Sequence, residues 1–151
     1  MQLSEILSEK QVLAHGSAAS KKRAIEQISD LMASAVPEID PGTIFDSLIA
    51  RERLGGTGIG HGIALPHGRI PGNHKTVAAF LRLEEGIDYD ALDQKPVDML
   101  LGLLVPEDST EEHLQLLASL AEMFSSEPFR QQLRDGANAA ALCQLLSEWR
   151  A

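Results

Sequence analysis

The chain has 151 residues, 44% of them apolar and 23% charged, with 13 basic against 22 acidic side chains and a net charge of −9. A length and composition of this kind predict a single domain over residues 1–151 with a real buried core, and no apolar run approaches the roughly 20 residues of a membrane helix, so membrane insertion is not expected. Cys143 is the only cysteine and MQLSEILSEK lacks the apolar centre of a secretory signal, so the expectation is a cytoplasmic protein without an intramolecular disulfide.

The charge is unevenly spread. Residues 1–75 hold 8 basic and 8 acidic side chains, residues 76–151 hold 5 and 14. An acidic chain with no basic stripe repels a nucleic-acid backbone, so no nucleic-acid partner is expected. The acidic half reads either as a solubilising surface or as a field that steers a basic protein partner.

In chain order, Ser20 can cap a helix through KKRAIEQISDLMASAV, where Ile25, Ile28, Leu31 and Met32 recur at helical spacing. Asp40-Pro41 is a cap followed by proline at the first helical position, and Ile44, Phe45, Leu48 and Ile49 supply the next apolar face up to Gly55-Gly56. The period then changes. Ile63–Leu65, Val77–Leu83 and Met99–Val105 are short apolar runs that predict buried strands, joined by a turn-rich EEGIDYDALDQKPVD with room for one short strand. Ser109 or Thr110 opens the next helix, Ser109-x-x-Glu112 fits a capping box, and Leu114, Leu117, Ala118, Ala121 and Phe124 form its predicted apolar face. Ser126 and Asn138 open two further helices, the last carrying Cys143 as packing. Helices, then strands, then helices make an α/β sandwich around one sheet, with no repeat and no interdomain linker.

Residues 55–69, GGTGIGHGIALPHGR, hold six glycines and two histidines in fifteen positions. A dinucleotide cradle requires G-x-G-x-x-G before a helix. Here His61 or Ile63 occupies the third glycine position, and the strand-like IAL follows. A metal shared by His61, His67 and His113 remains open, although the spacing lacks an H-x-x-x-H helix and a carboxylate companion. So does a nucleophilic histidine, since a neutral imidazole can form covalent intermediates and small neighbours give a second protein access to His67.

TGIGHGIALPHG, preceded by Arg51-Glu52-Arg53 and followed by E-E-H-L-Q-L-L, closely resembles the IIA proteins of the bacterial phosphotransferase system, mannitol/fructose class, nitrogen-regulatory branch. The likeness runs over nearly the whole chain, and the I-A-[LIV]-P-H-G core is its specific part. It implies the type of sandwich in which a single mixed β-sheet is flanked by helices on both sides. It also implies that His67 accepts a phosphoryl group, on Nε2, from an HPr-like (NPr) phosphocarrier. His113, as the family's second histidine, would donate a hydrogen bond to that group, and Arg51 would stabilise its charge. Gly60, His61, Gly62, Pro66 and Gly68 complete the motif as binding residues. His61 departs from the asparagine typical of the nitrogen branch, and is expected either to tune the site or to replace a hydrogen-bonding side chain.

The chemistry fits these assignments. The N-terminal end of a helix disfavours an imidazolium at His113 and favours a nearby anion, and an arginine fork matches phosphoryl oxygens. Arg53 and Arg69 are secondary candidates, Asp108, Glu111 and Glu112 are read as capping and dipole partners, and His15 and His74 have no assigned role. The resemblance implies no cofactor, no metal, and regulatory protein targets such as potassium-transport or sensor proteins. The alternatives are a sugar-transport IIA that passes phosphate to a IIB domain, a module that acts by docking alone, and a metal-dependent enzyme.

Overall fold

The computed structural model describes residues 2–150. Its elements are α1 (Leu3–Ile6), β1 (Val12–Gly16), α2 (Lys21–Ala33), α3 (Pro41–Leu54), β2 (Gly58–Gly60), β3 (Ile63–Ala64), β4 (His67–Ile70), β5 (Val77–Ile87), β6 (Val97–Pro106), α4 (Thr110–Phe124), α5 (Glu127–Asp135) and α6 (Ala139–Glu148). The strands form one mixed sheet in the order β1-β5-β6-β3-β2, with β4 also on β6. The β5–β6 and β2–β3 pairs are antiparallel; β1–β5, β3–β6 and β4–β6 are parallel.

The two central strands bury both faces, as their unbroken apolar runs require. Along β6, Met99, Leu101, Leu103 and Val105 point into one core with Leu116, Leu120 and Phe124 of α4, Phe129 and Leu133 of α5, and Leu142 and Leu146 of α6. Leu100 and Leu104 point the other way, into a core built with Ile25, Ile28 and Met32 of α2 and Ile44 and Leu48 of α3. This period-2 division makes the sheet the middle layer of the expected sandwich, with Cys143 packed at the edge of the first core.

The predicted caps at Ser20, Asp40, Ser126 and Asn138 each accept a backbone N–H of the first turn. Ser109 precedes α4 but makes no side-chain cap bond, so the predicted capping box is not formed. The buried face of α4 also differs from the predicted one: His113, Leu116, Leu120, Met123 and Phe124 point inward, while Leu114 is 59% exposed. Two leucine stripes of equal helical period lie on α4, and the buried one is aligned with a histidine that a search for apolar residues passes over. The turn-rich connection is shorter than predicted, because β5 continues to Ile87 and β6 begins at Val97. Three short strands, β1, β2 and β4, are additional, each made of residues too mixed in polarity to read as strands alone.

Candidate active site

The site starts from a gap in the sheet. β3 and β4 lie on β6 in one register, Ala64 opposite Leu100 and His67 opposite Leu103, so residues 63–70 are a single strand interrupted at Leu65-Pro66. Pro66 has no N–H to give to a ladder, although its carbonyl still accepts from Leu103 N–H at 3.0 Å. Leu65 N–H donates to Thr57 at 2.9 Å, and its carbonyl accepts from His67 Nδ1–H at 2.8 Å. A carbonyl can only accept, so this bond places the ring proton on Nδ1 and leaves the lone pair on Nε2. His67 thus opens β4, directly after the break.

His113 lies in the first turn of α4 with its ring buried. Its Nδ1 accepts from Arg69 Nε–H at 3.1 Å, and the same guanidinium reaches Thr110 Oγ1 at 3.3 Å. Arginine only donates, so the proton of a neutral His113 is on Nε2, and that buried nitrogen has no hydrogen-bond partner. The two rings meet edge to face with centroids 5.2 Å apart.

Both rings open on a cleft of about 390 Å³ lined by Ser47, Ala50, Arg51, Leu54, His67, Gly68, Arg69 and His113. Helix α3 closes one side and approaches β4 so closely that a Cβ on Gly68 would fall onto Ser47, whose hydroxyl donates to the Arg69 carbonyl at 3.0 Å. Arg51 stands in the last turn of α3 and donates to the Gly55 carbonyl at 2.8 Å, which holds its guanidinium at the cleft. Burial is the main cause that lowers the pKa of His67, with the charges of Arg51 and Arg69 acting the same way and the Leu65 carbonyl and Glu52 opposing. Burial, then His67, Arg69 and Arg51, bring His113 down to about 4. Both rings are therefore neutral at physiological pH.

Behind the cleft, Glu52 is buried at 8% exposure and carries a full set of donors. Thr57 gives it both its N–H (2.8 Å) and its hydroxyl (2.6 Å), Tyr89 its phenol (3.3 Å) and Lys21 an ion pair at 2.9 Å. This cluster ties α2, α3 and the β5–β6 connection to the start of the glycine stretch, and through Thr57 to the peptide that holds His67.

Of the residues singled out in the sequence, the structure brings together His67, His113, Arg51 and Gly68, with Pro66 supplying the break in the ladder. Gly60, His61 and Gly62 lie apart, in the β2–β3 turn, with φ of 98°, 58° and 82°. There His61 N–H donates to Asp93 and its carbonyl accepts from Arg134, which pairs with Asp98. The glycines serve this left-handed turn, and the three histidines named as possible metal ligands do not converge. Among the described residues no group of three His, Cys, Asp or Glu is placed to hold a metal. Arg69 gains a direct contact with His113 that sequence spacing alone did not reveal; its one signal was its place two residues beyond His67. Ser47 had no signal beyond polarity on an otherwise readable helix, and Glu52 only its place in the Arg51-Glu52-Arg53 segment.

The family described as the phosphoenolpyruvate-dependent sugar phosphotransferase system, EIIA 2, matches residues 5–149. A nitrogen regulatory protein of Pseudomonas aeruginosa is 47% identical over 146 residues, covering 97% of this chain and 95% of the relative. Among solved structures, nitrogen regulatory protein IIA-Ntr of Neisseria meningitidis superposes with a TM-score of 0.88 at 38% identity, over 95% of this chain and 97% of that one. IIA mannitol of Escherichia coli shares the fold, with a TM-score of 0.76 at 22% identity over 93% and 98% of the two chains. With this fold, this paired-histidine cleft and a match across almost its full length, the chain belongs to the EIIA 2 family of the phosphotransferase system, on its nitrogen-regulatory branch.

Proposed function

We propose that His67 accepts a phosphoryl group on Nε2 from an HPr-like histidine phosphocarrier, in a relay that starts from phosphoenolpyruvate, and that the phosphorylation state governs binding to regulatory protein targets in the cytoplasm. The observation that carries this reading is the pairing of a nucleophile with a waiting donor. His67 has its Nδ1 occupied by Leu65 and its Nε2 lone pair free, beside the unpartnered Nε2–H of a neutral His113.

In the transfer, the phosphorus–nitrogen bond of the donor breaks and its electron pair returns to the donor ring. The Nε2 lone pair of His67 forms the new bond, and no proton has to cross between the proteins. His67 Nδ1–H stays on the Leu65 carbonyl and holds the ring still. The His113 Nε2–H and Arg51 stabilise charge on the equatorial oxygens, which is the main work of a loose phosphoryl-transfer transition state. Phosphorylation adds roughly −1.5 to −2 charge, by analogy with other phosphorylated side chains, to a chain already at −9. A change of that size at the mouth of the cleft can recruit or release a partner.

Intact-mass measurement after incubation with phosphoenolpyruvate, enzyme I and the histidine phosphocarrier tests the reading. One acid-labile phosphoryl group on the wild type and none on His67→Ala is the expected result. No gain with either a sugar-type or a nitrogen-type phosphocarrier would overturn it in favour of a module that works by docking alone.

A further inference from the structure

Two neutral imidazoles that share one cleft are equivalent acceptors unless something fixes their protons. Each offers one lone-pair nitrogen and one N–H, and only the lone pair can form a bond to phosphorus. The chain's own backbone settles the matter for His67, through the Leu65 carbonyl. His113 has no such carbonyl. The hydrogen bond that its ring makes comes from Arg69 Nε–H, at 3.1 Å.

We propose that Arg69 is a positioning residue that gives the two histidines opposite roles, keeping His113 as a hydrogen-bond donor that cannot itself take the phosphoryl group. The inference rests on the His67 reading above and adds what makes that histidine the single acceptor. A guanidinium cannot lose its proton in this setting, so its bond occupies the His113 Nδ1 lone pair permanently. The ring proton is thereby held on Nε2, where no lone pair remains to attack phosphorus. That Nε2–H is buried and without a partner, so an oxygen of the group on His67 satisfies it.

The placement of Arg69 supports the role. β4 pairing fixes its backbone opposite Val105, Ser47 Oγ–H donates to its carbonyl at 3.0 Å, and Thr110 Oγ1 accepts from Nη1 at 3.3 Å. The fork is thus anchored on both sides of the nitrogen that faces His113. Its positive charge also opposes an imidazolium at His113, which keeps the neutral, single-tautomer ring the role requires.

Nitrogen NMR of ¹⁵N-histidine-labelled protein near neutral pH, without any phosphoryl donor, reads the tautomer of His113 directly. The wild type is expected to show the Nε2–H form alone. Arg69→Met, at an exposed position, is expected to show both tautomers, and phosphoryl transfer to His67 should slow by about tenfold, the effect of one hydrogen bond that no longer points the right way. Thr110→Val, which removes only the outer anchor, should give a smaller shift of the same sign. A single Nε2–H tautomer retained in Arg69→Met would overturn the proposal. A wild type that takes no phosphoryl group on His67 would instead overturn the proposed function, and leaves the tautomer result to be read separately.

Discussion

The rings of His67 and His113 stand at 83° to each other with their centroids 5.2 Å apart, each with Nδ1 already bonded, to the Leu65 carbonyl and to Arg69 Nε–H. That leaves Nε2 with a lone pair on His67 and with a proton, buried and unpartnered, on His113. An open lone pair and a hydrogen-bond donor are thereby built from the same side chain, and the difference lies entirely in what holds the far nitrogen.

Removing the donor should slow the reaction without moving its site. His113→Ala is expected to reduce the rate of phosphoryl transfer to His67 by roughly 10- to 100-fold, the range of a lost hydrogen bond to a charged group. His113→Gln, which keeps an N–H at a similar reach, should recover part of the loss. Stopped-time intact mass gives the rates, and phosphorylation of His113→Ala at wild-type speed would contradict the role.

The two histidines also set a pH dependence. Their folded pKa values lie below the ordinary 6.5, with His113 at about 4. The unfolded chain therefore takes up protons first as pH falls, so stability is complete above 6.5 and is lost progressively between 6.5 and 4. The acid limb of phosphoryl transfer should likewise lie below 6.5, because His67 keeps its lone pair there. Urea midpoints across this range should fall with pH, and His113→Gln should flatten part of the slope.

Gly68→Ala should damage both fold and site. The added methyl meets Ser47 on α3, and overpacking of this kind costs about 1–3 kcal/mol. Because Ser47 also holds the Arg69 carbonyl, the transfer rate should fall with the stability. A Gly68→Ala protein with an unchanged urea midpoint would show that α3 has room to retreat.

Glu52→Ala leaves Lys21, both donors of Thr57 and the Tyr89 phenol without their acceptor. Removing one partner of a buried ion pair costs about 3 kcal/mol or more, and chemical denaturation should show a loss of that order. Lys21→Met should cost less, since three neutral donors still satisfy the carboxylate.

Leu54 lines the cleft at 85% exposure, and Leu114 at 59% follows His113. Apolar groups exposed beside a reactive centre fit contact with a protein donor. Leu54→Asp is expected to raise the KM for the phosphocarrier by about tenfold, the loss of one warm contact, with kcat little changed. Equal KM values for Leu54→Asp and wild type would move the docking surface elsewhere.

Much of this was legible in residue order. The caps at Ser20, Asp40, Ser126 and Asn138, the two long buried strands and the I-A-L-P-H-G motif are local signals, since each depends on a side chain and the few residues beside it. The face of α4 was not legible, because its two leucine stripes have the same period and only contact with the sheet chooses between them. The role of the glycine turn was obscured for a related reason. Gly60 and Gly62 are near His67 in sequence, yet they serve a left-handed turn at the opposite end of the paired strands.

By itself, then, the order of residues determined the class of fold and singled out the motif that holds His67, because helix caps, apolar periods and the run Ile63–Gly68 are local properties of the chain. Only the tertiary structure decided which nitrogen of His113 carries its proton. That choice rests on Arg69, forty-four residues from His113, and a proton's position on a ring is set by whatever folding brings against it.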